Sequence, residues 1–127
     1  MAALGDITFD CRHPAALARF WAAVLDGYAV APYDEAEVTR LAGLGIDDPE
    51  DDPNVLVEAA GGPRLWFTQV PEGKLVKNRV HLDLRCADVE AESNRLVALG
   101  ARFLSPWPDG EGIVMADPEG NEFCLVT

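Results

Sequence analysis

Basic side chains are scarce in this sequence: 10 lysines and arginines stand against 22 aspartates and glutamates, a formal net charge of −12. A surface of that sign repels phosphate backbones and anionic lipid, which argues against nucleic acid or a membrane as partner. Long hydrophobic runs are missing too, and nothing approaches the roughly 20 consecutive apolar residues that cross a bilayer. The first residues lack a basic segment followed by an apolar one, so no secretory leader is expected. Cysteine is limited to Cys11, Cys86 and Cys124, with no CxxC spacing. An odd number excludes a fully paired disulfide framework and suits a reducing, cytoplasmic setting.

What is present is an ordinary globular balance, 49% hydrophobic and 25% charged over 127 residues, enough for one domain with a real core. The acidic excess is partly local. Asp47, Asp48, Glu50, Asp51 and Asp52 form one run, read as a solvated loop; it lacks the ligand spacing and loop glycine of a calcium hand.

Alternation over Asp6 to Cys11 predicts a half-buried strand with Ile7, Phe9 and Cys11 on one face. Pro14 then suits the first turn of a helix, with Leu17, Phe20, Trp21, Val24 and Leu25 at helical spacing and Gly27 as its C-cap. Tyr28 to Tyr33 reads as a strand. Asp34 is a good N-cap for a short helix, Glu35 to Ala42, with Val38 and Leu41 on its apolar stripe. Val55 to Ala59 and Arg64 to Val70 form a hairpin across Gly61-Gly62-Pro63. After a connector, Val80 to Arg85 is a strand and Asp88 caps a helix, Val89 to Leu99, closed by Gly100; Val89, Leu96, Val97 and Leu99 are its apolar positions. Ala101 to Leu104, Ile113 to Ala116 and Glu122 to Val126 complete the strands, the last two joined by Asp117-Pro118-Glu119-Gly120, a strong turn signal.

The most informative stretch is Lys77-Asn78-Arg79-Val80-His81-Leu82-Asp83-Leu84. Period-2 alternation places Val80, Leu82 and Leu84 on one face and His81 with Asp83 on the other. The chain also repeats itself: sliding it by 75 residues sets Asp6 on His81, Phe9 on Leu84, Trp21 on Leu96 and Val24 on Leu99. Leu65-Trp66-Phe67-Thr68 is laid over Asn121-Glu122-Phe123-Cys124. The expected fold is α+β, two tandem βαβββ units (1–71 and 72–127) in a single domain, as a curved mixed sheet around a shared cavity with the helices outside.

With Val70-Pro71-Glu72-Gly73-Lys74 leading into that stretch, and Asp117-Pro118-Glu119-Gly120-Asn121-Glu122-Phe123 closing the chain, the sequence resembles the vicinal oxygen chelate superfamily, in particular its glyoxalase-like domain proteins. That superfamily includes glyoxalase I, extradiol dioxygenases, fosfomycin-resistance enzymes and bleomycin-binding proteins, so the resemblance implies a fold and a small-molecule ligand without fixing a reaction. It also implies metal ligands at four inward strand positions. His81 and Glu122 match two of them and Asp6 a third, while the fourth falls near Trp66, which cannot ligate.

Asp6, His81 and Glu122 would make a mixed nitrogen and oxygen set for Zn, Mn, Fe or Ni, able to polarise a substrate oxygen. The gap at Trp66 makes a metal-free pocket the expected state. Without metal, Glu122, its proton affinity raised by an apolar cavity, and His81 are the candidate catalytic acid–base pair. Asp83 would orient His81 or pair with Arg79 or Arg85. Trp66, Thr68, Asp83, Trp107 and Cys124 are candidate ligand-lining residues, since aromatic walls and a few polar groups make a small-molecule site. The function expected is a lyase- or isomerase-type enzyme acting on an oxygen-bearing metabolite, with drug or metabolite binding without turnover as the alternative. A homodimer is expected from the resemblance.

Overall fold

The structure, a computed structural model, describes all 127 residues and divides into two compact units, Met1–Gly73 and Lys74–Thr127. The first contains β1 (Asp6–Cys11), α1 (Pro14–Val24), β2 (Tyr28–Val30), α2 (Glu35–Gly43), β3 (Asn54–Ala59) and β4 (Arg64–Gln69). The second contains β5 (Asp83–Arg85), α3 (Val89–Leu99), β6 (Arg102–Pro106), β7 (Gly112–Ala116) and β8 (Glu122–Val126). This is a mixed α+β fold with one four-stranded sheet per unit, ordered β1-β4-β3-β2 and β5-β8-β7-β6. In each sheet the first strand pairs in parallel with the last, and the remaining neighbours are antiparallel.

In the first unit α1 begins at Pro14, whose missing N–H has no helical partner at that position, and lays Leu17, Trp21 and Val24 on one sheet face. Phe9 bridges the layers, its ring 5.3 Å from Trp21 and 5.1 Å from Phe67, while Val55, Val57 and Leu65 fill the space beside them. Asn54, Leu56, Trp66 and Thr68 alternate onto the opposite face. The second unit repeats the scheme: Leu96 on α3, Met115 on β7 and Phe123 and Leu125 on β8 are buried. Asp88 caps α3 by accepting the Ala91 N–H at 3.0 Å, and Gly100 ends it at φ 116°, where a side chain would be strained.

Four sequence expectations change. The strand expected over Val80 to Arg85 is confined to Asp83–Arg85, and Val80 is exposed, because only the Leu82 carbonyl upstream still meets β8, through the Cys124 N–H at 2.9 Å. Tyr28 to Tyr33 shortens to Tyr28–Val30, since Pro32 cannot donate to a ladder. Val38, Val97 and Leu99, expected on apolar stripes, are exposed; a single buried leucine per helix, Leu41 and Leu96, anchors α2 and α3. The acidic run is not wholly solvated. Asp48 caps a 3-10 turn, Pro49–Asp51, and Asp52 is buried behind it.

The ladders also correct the internal alignment. The parallel pairs Asp6 with Arg64 and Asp83 with Cys124 make the last strands correspond at a spacing of 58 residues, so Arg64, not Trp66, lies over Glu122. The two-residue slip preserves face parity, so hydrophobic alternation is blind to it.

Candidate functional site

Glu122 opens β8 with a half-buried side chain and is held from two directions. Lys74 Nζ donates to its Oε1 at 2.8 Å and the Asn78 N–H to its Oε2 at 3.0 Å. Asn78 Nδ2 donates to Asn121 Oδ1 at 3.0 Å, and Asn121 Nδ2 to the buried Asp117 at 2.8 Å. Asp117 also accepts the Glu119 and Asn121 N–H groups, fixing the turn before β8. The two motifs that stood out in the sequence, Lys77-Asn78-Arg79 and the Asp117–Glu122 turn, are therefore one hydrogen-bonded assembly. Burial alone would push the Glu122 carboxyl up; the Lys74 ammonium and the Asn78 N–H outweigh it and hold it at about 2. This reverses the expected raised proton affinity: at neutral pH Glu122 is an anionic acceptor and a poor base.

Asp6 is held similarly at the edge of the first sheet. Arg64 grips it with two hydrogen bonds of 2.8 Å, and Trp66 Nε1–H donates at 3.2 Å. The Arg64 guanidinium, with help from Trp66 and against partial burial, keeps the Asp6 carboxyl below its usual range. Every oxygen of Asp6 and Glu122 thus already accepts from a donor, and the strand place matching Glu122 in the first unit carries a guanidinium. Each of the two carboxylates is thus committed to donors of its own unit.

The second unit holds another group. His81 Nδ1 is 3.3 Å from Asp83 Oδ1, and these two with Cys124 Sγ place one ligand atom each within 4.8 Å of one another. Asp83 thus faces His81, whereas Arg85 donates to the Thr127 carbonyl at 3.3 Å. Cys124 is buried and its thiol is pushed up by burial, with Trp107 hydrogen-bonded to it and opposing the shift. Gly112 permits that placement of Trp107: a Cβ there would meet the indole at 2.9 Å and the Leu125 carbonyl at 2.9 Å.

The first unit also has a pocket of about 270 Å³ lined by Tyr33, Arg40, Asp52, Leu56 and Trp66 among others. Its polar wall is a network that sequence reading missed. Asp52, 1% exposed, accepts from Tyr33 Oη at 2.7 Å, Arg40 Nη2 at 2.8 Å and the Asn54 N–H at 2.9 Å. Arg40 is shared with Glu37. Burial and the Asp52 carboxylate together push the Tyr33 phenol well up. Of the expected lining residues, Trp66 reaches this pocket, and Thr68 supports it by donating to Asn54 Oδ1 at 2.8 Å; Asp83, Trp107 and Cys124 belong to the second-unit cluster. The signal available in the sequence was Asp52 followed by Pro53-Asn54, an Asx-type turn sequence at the end of the acidic run.

The glyoxalase-like domain family model matches residues 6–126. No curated protein matches the sequence. Among solved structures, the fosfomycin resistance protein FosX of Mesorhizobium loti is similar at a TM-score of 0.69 and 19% identity, over 100% of this chain and 92% of that one. A glyoxalase/bleomycin resistance protein/dioxygenase family enzyme from Burkholderia phytofirmans is similar at 0.67 and 18%, over 98% and 97%. A mutant of FosX from Listeria monocytogenes, solved with Mn(II) and 1S,2S-dihydroxypropylphosphonic acid, is similar at 0.63 and 14%, over 99% and 90%. At these identities the likeness is one of fold.

Proposed function

The chain belongs to the glyoxalase-like domain family, and on that premise we propose that it binds a small, planar, neutral-to-cationic organic molecule in the first-unit pocket, without a metal on the Asp6, His81 and Glu122 set. The observation that carries this reading is the pocket itself, with two aromatic walls, Tyr33 and Trp66, and a rigid buried polar group, Asp52. Aromatic faces with a few fixed polar groups are the ordinary composition of a small-molecule site, and about 270 Å³ suits a metabolite-sized ligand. Arg40 is balanced by Glu37 and Asp52, so the lining carries one net negative charge within an acidic protein, favouring a cation stacked on Trp66.

A thermal-shift screen of planar aromatic monoamines against matched carboxylates tests it. Stabilisation by amines that is lost in Trp66→Leu supports the proposal; no stabilisation by any amine or neutral analogue refutes it.

A second reading, a lyase- or isomerase-type enzyme acting on an oxygen-bearing metabolite, is favoured by the His81–Asp83 pair. A carboxylate 3.3 Å from Nδ1 orients the ring and leaves Nε2 for a substrate proton, with Glu122 as a fixed anionic acceptor. Turnover abolished by His81→Gln with ligand affinity retained would establish it. A homodimer is proposed as well, supported by the exposed aliphatic residues Leu75, Val76 and Val80; sedimentation as monomer only at micromolar concentration would refute it.

A further inference from the structure

We propose that His81 Nδ1, an Asp83 carboxylate oxygen and Cys124 Sγ form a three-ligand site for a zinc-class divalent ion, with the fourth position open. The site shares only His81 with the Asp6, His81 and Glu122 set and is independent of the first-unit pocket, so this proposal and the pocket proposal can each fail alone. When an ion is bound, His81 is a ligand rather than a base.

Three arguments carry it. The first is donor chemistry: one thiol, one imidazole and one carboxylate are the borderline-soft mixture that zinc and cobalt(II) take in preference to magnesium or calcium. The second is spacing. Tetrahedral zinc with nitrogen and oxygen ligands at about 2.0 Å separates them by roughly 3.3 Å, and a sulfur at about 2.3 Å lies roughly 3.6 Å from the nitrogen. His81 Nδ1 and Asp83 Oδ1 already stand 3.3 Å apart, and one ligand atom from each of the three residues lies within 4.8 Å of the others, so closure needs little more than about 1 Å of side-chain movement.

The third is architecture. Asp83 and Cys124 are a paired rung of the parallel β5–β8 ladder, so two of the three ligands are fixed to one another by backbone hydrogen bonding. Trp107 hydrogen-bonds to the buried sulfur, whereas His81 and Asp83 keep side-chain exposures of 41% and 51%, so an ion can reach them from solvent. Lys77 is the cation facing the thiol and opposes the ion, which makes it a lever for the test.

The experiment is a cobalt(II) titration of the chelator-treated full chain, followed by zinc competition. One equivalent of cobalt should give the near-ultraviolet thiolate-to-cobalt charge-transfer band with tetrahedral visible absorption, and zinc should abolish both. Cys124→Ser should remove the charge-transfer band. His81→Gln, at an exposed position with little structural consequence, should weaken cobalt binding at least tenfold, and Lys77→Ala should strengthen it. Cys86→Ala, removing the one thiol that is not buried, should leave the spectrum intact. Absence of the charge-transfer band at one equivalent overturns the proposal, as does a band that survives Cys124→Ser or disappears in Cys86→Ala.

Discussion

Lys74 Nζ sits 2.8 Å from Glu122 Oε1, and both side chains are largely sheltered, at 17% and 13% exposure. The pair spans 48 residues and ties the start of the second unit to its last strand, with the Asn78 N–H completing the grip. A sheltered carboxylate with an ammonium of its own has the charge partner that a metal would otherwise provide.

Removing one partner should therefore be costly. Lys74→Met is expected to destabilise the fold by about 2–4 kcal/mol, because it leaves a partly buried anion facing one N–H. Paired with Glu122→Gln, the double variant should lose less than the sum of the two, with a coupling of about 1–3 kcal/mol by chemical denaturation. The Glu122 carboxyl, held at about 2 against an ordinary 4.5, stabilises the native state above pH 4.5, and that contribution disappears as pH falls towards 2. Carboxyl NMR titration should show it moving back up in Lys74→Met.

The buried end of the acidic run makes a second prediction. Asp52→Ala removes the acceptor shared by Tyr33, Arg40 and the Asn54 N–H, and should destabilise by roughly 2–4 kcal/mol. Asp51→Ala, one residue earlier and exposed, should stay within about 0.5 kcal/mol of the parent in the same thermal unfolding series.

Alkaline titration distinguishes Tyr33 by its sign. Its phenol is raised above the ordinary value of 10, so its contribution is fully present below pH 10 and is lost as pH rises beyond it. Phenolate absorbance in a Tyr28→Phe background should therefore show no ionisation of Tyr33 near pH 10 while the protein is folded, and a jump on unfolding. Ionisation at pH 10 in the folded state would contradict the Tyr33–Asp52 hydrogen bond.

Gly112→Ala should displace Trp107, since the added methyl meets both the indole and a backbone carbonyl that cannot yield. A loss of about 1–3 kcal/mol and a changed tryptophan emission are expected. An unchanged emission spectrum would mean that Trp107 does not lie over Cys124.

Much of the architecture was legible from residue order alone. The strong helical stripe of α1, the caps Asp34 and Asp88, and the glycine after α3 mark local structure by local chemistry, and the structure follows them. The βαβββ repeat was visible for the same reason. Its exact strand alignment was not, because a two-residue slip keeps every side chain on the same face, and Phe67 meets a buried residue in either register, Phe123 or Leu125. The site was read less well because its determinants are distant. Nothing near Glu122 in sequence announces Lys74, and Asp52 is indistinguishable by composition from the solvated acids before it. Long-range ion pairing, which no local periodicity encodes, decided both.

The central claim, that the first-unit pocket binds a planar cationic or neutral molecule, is tested most directly by calorimetric titration of the stabilising amine into the parent and into Trp66→Leu. The account predicts one site per chain and at least a tenfold loss of affinity in the variant. Equal affinity in the two proteins would contradict it.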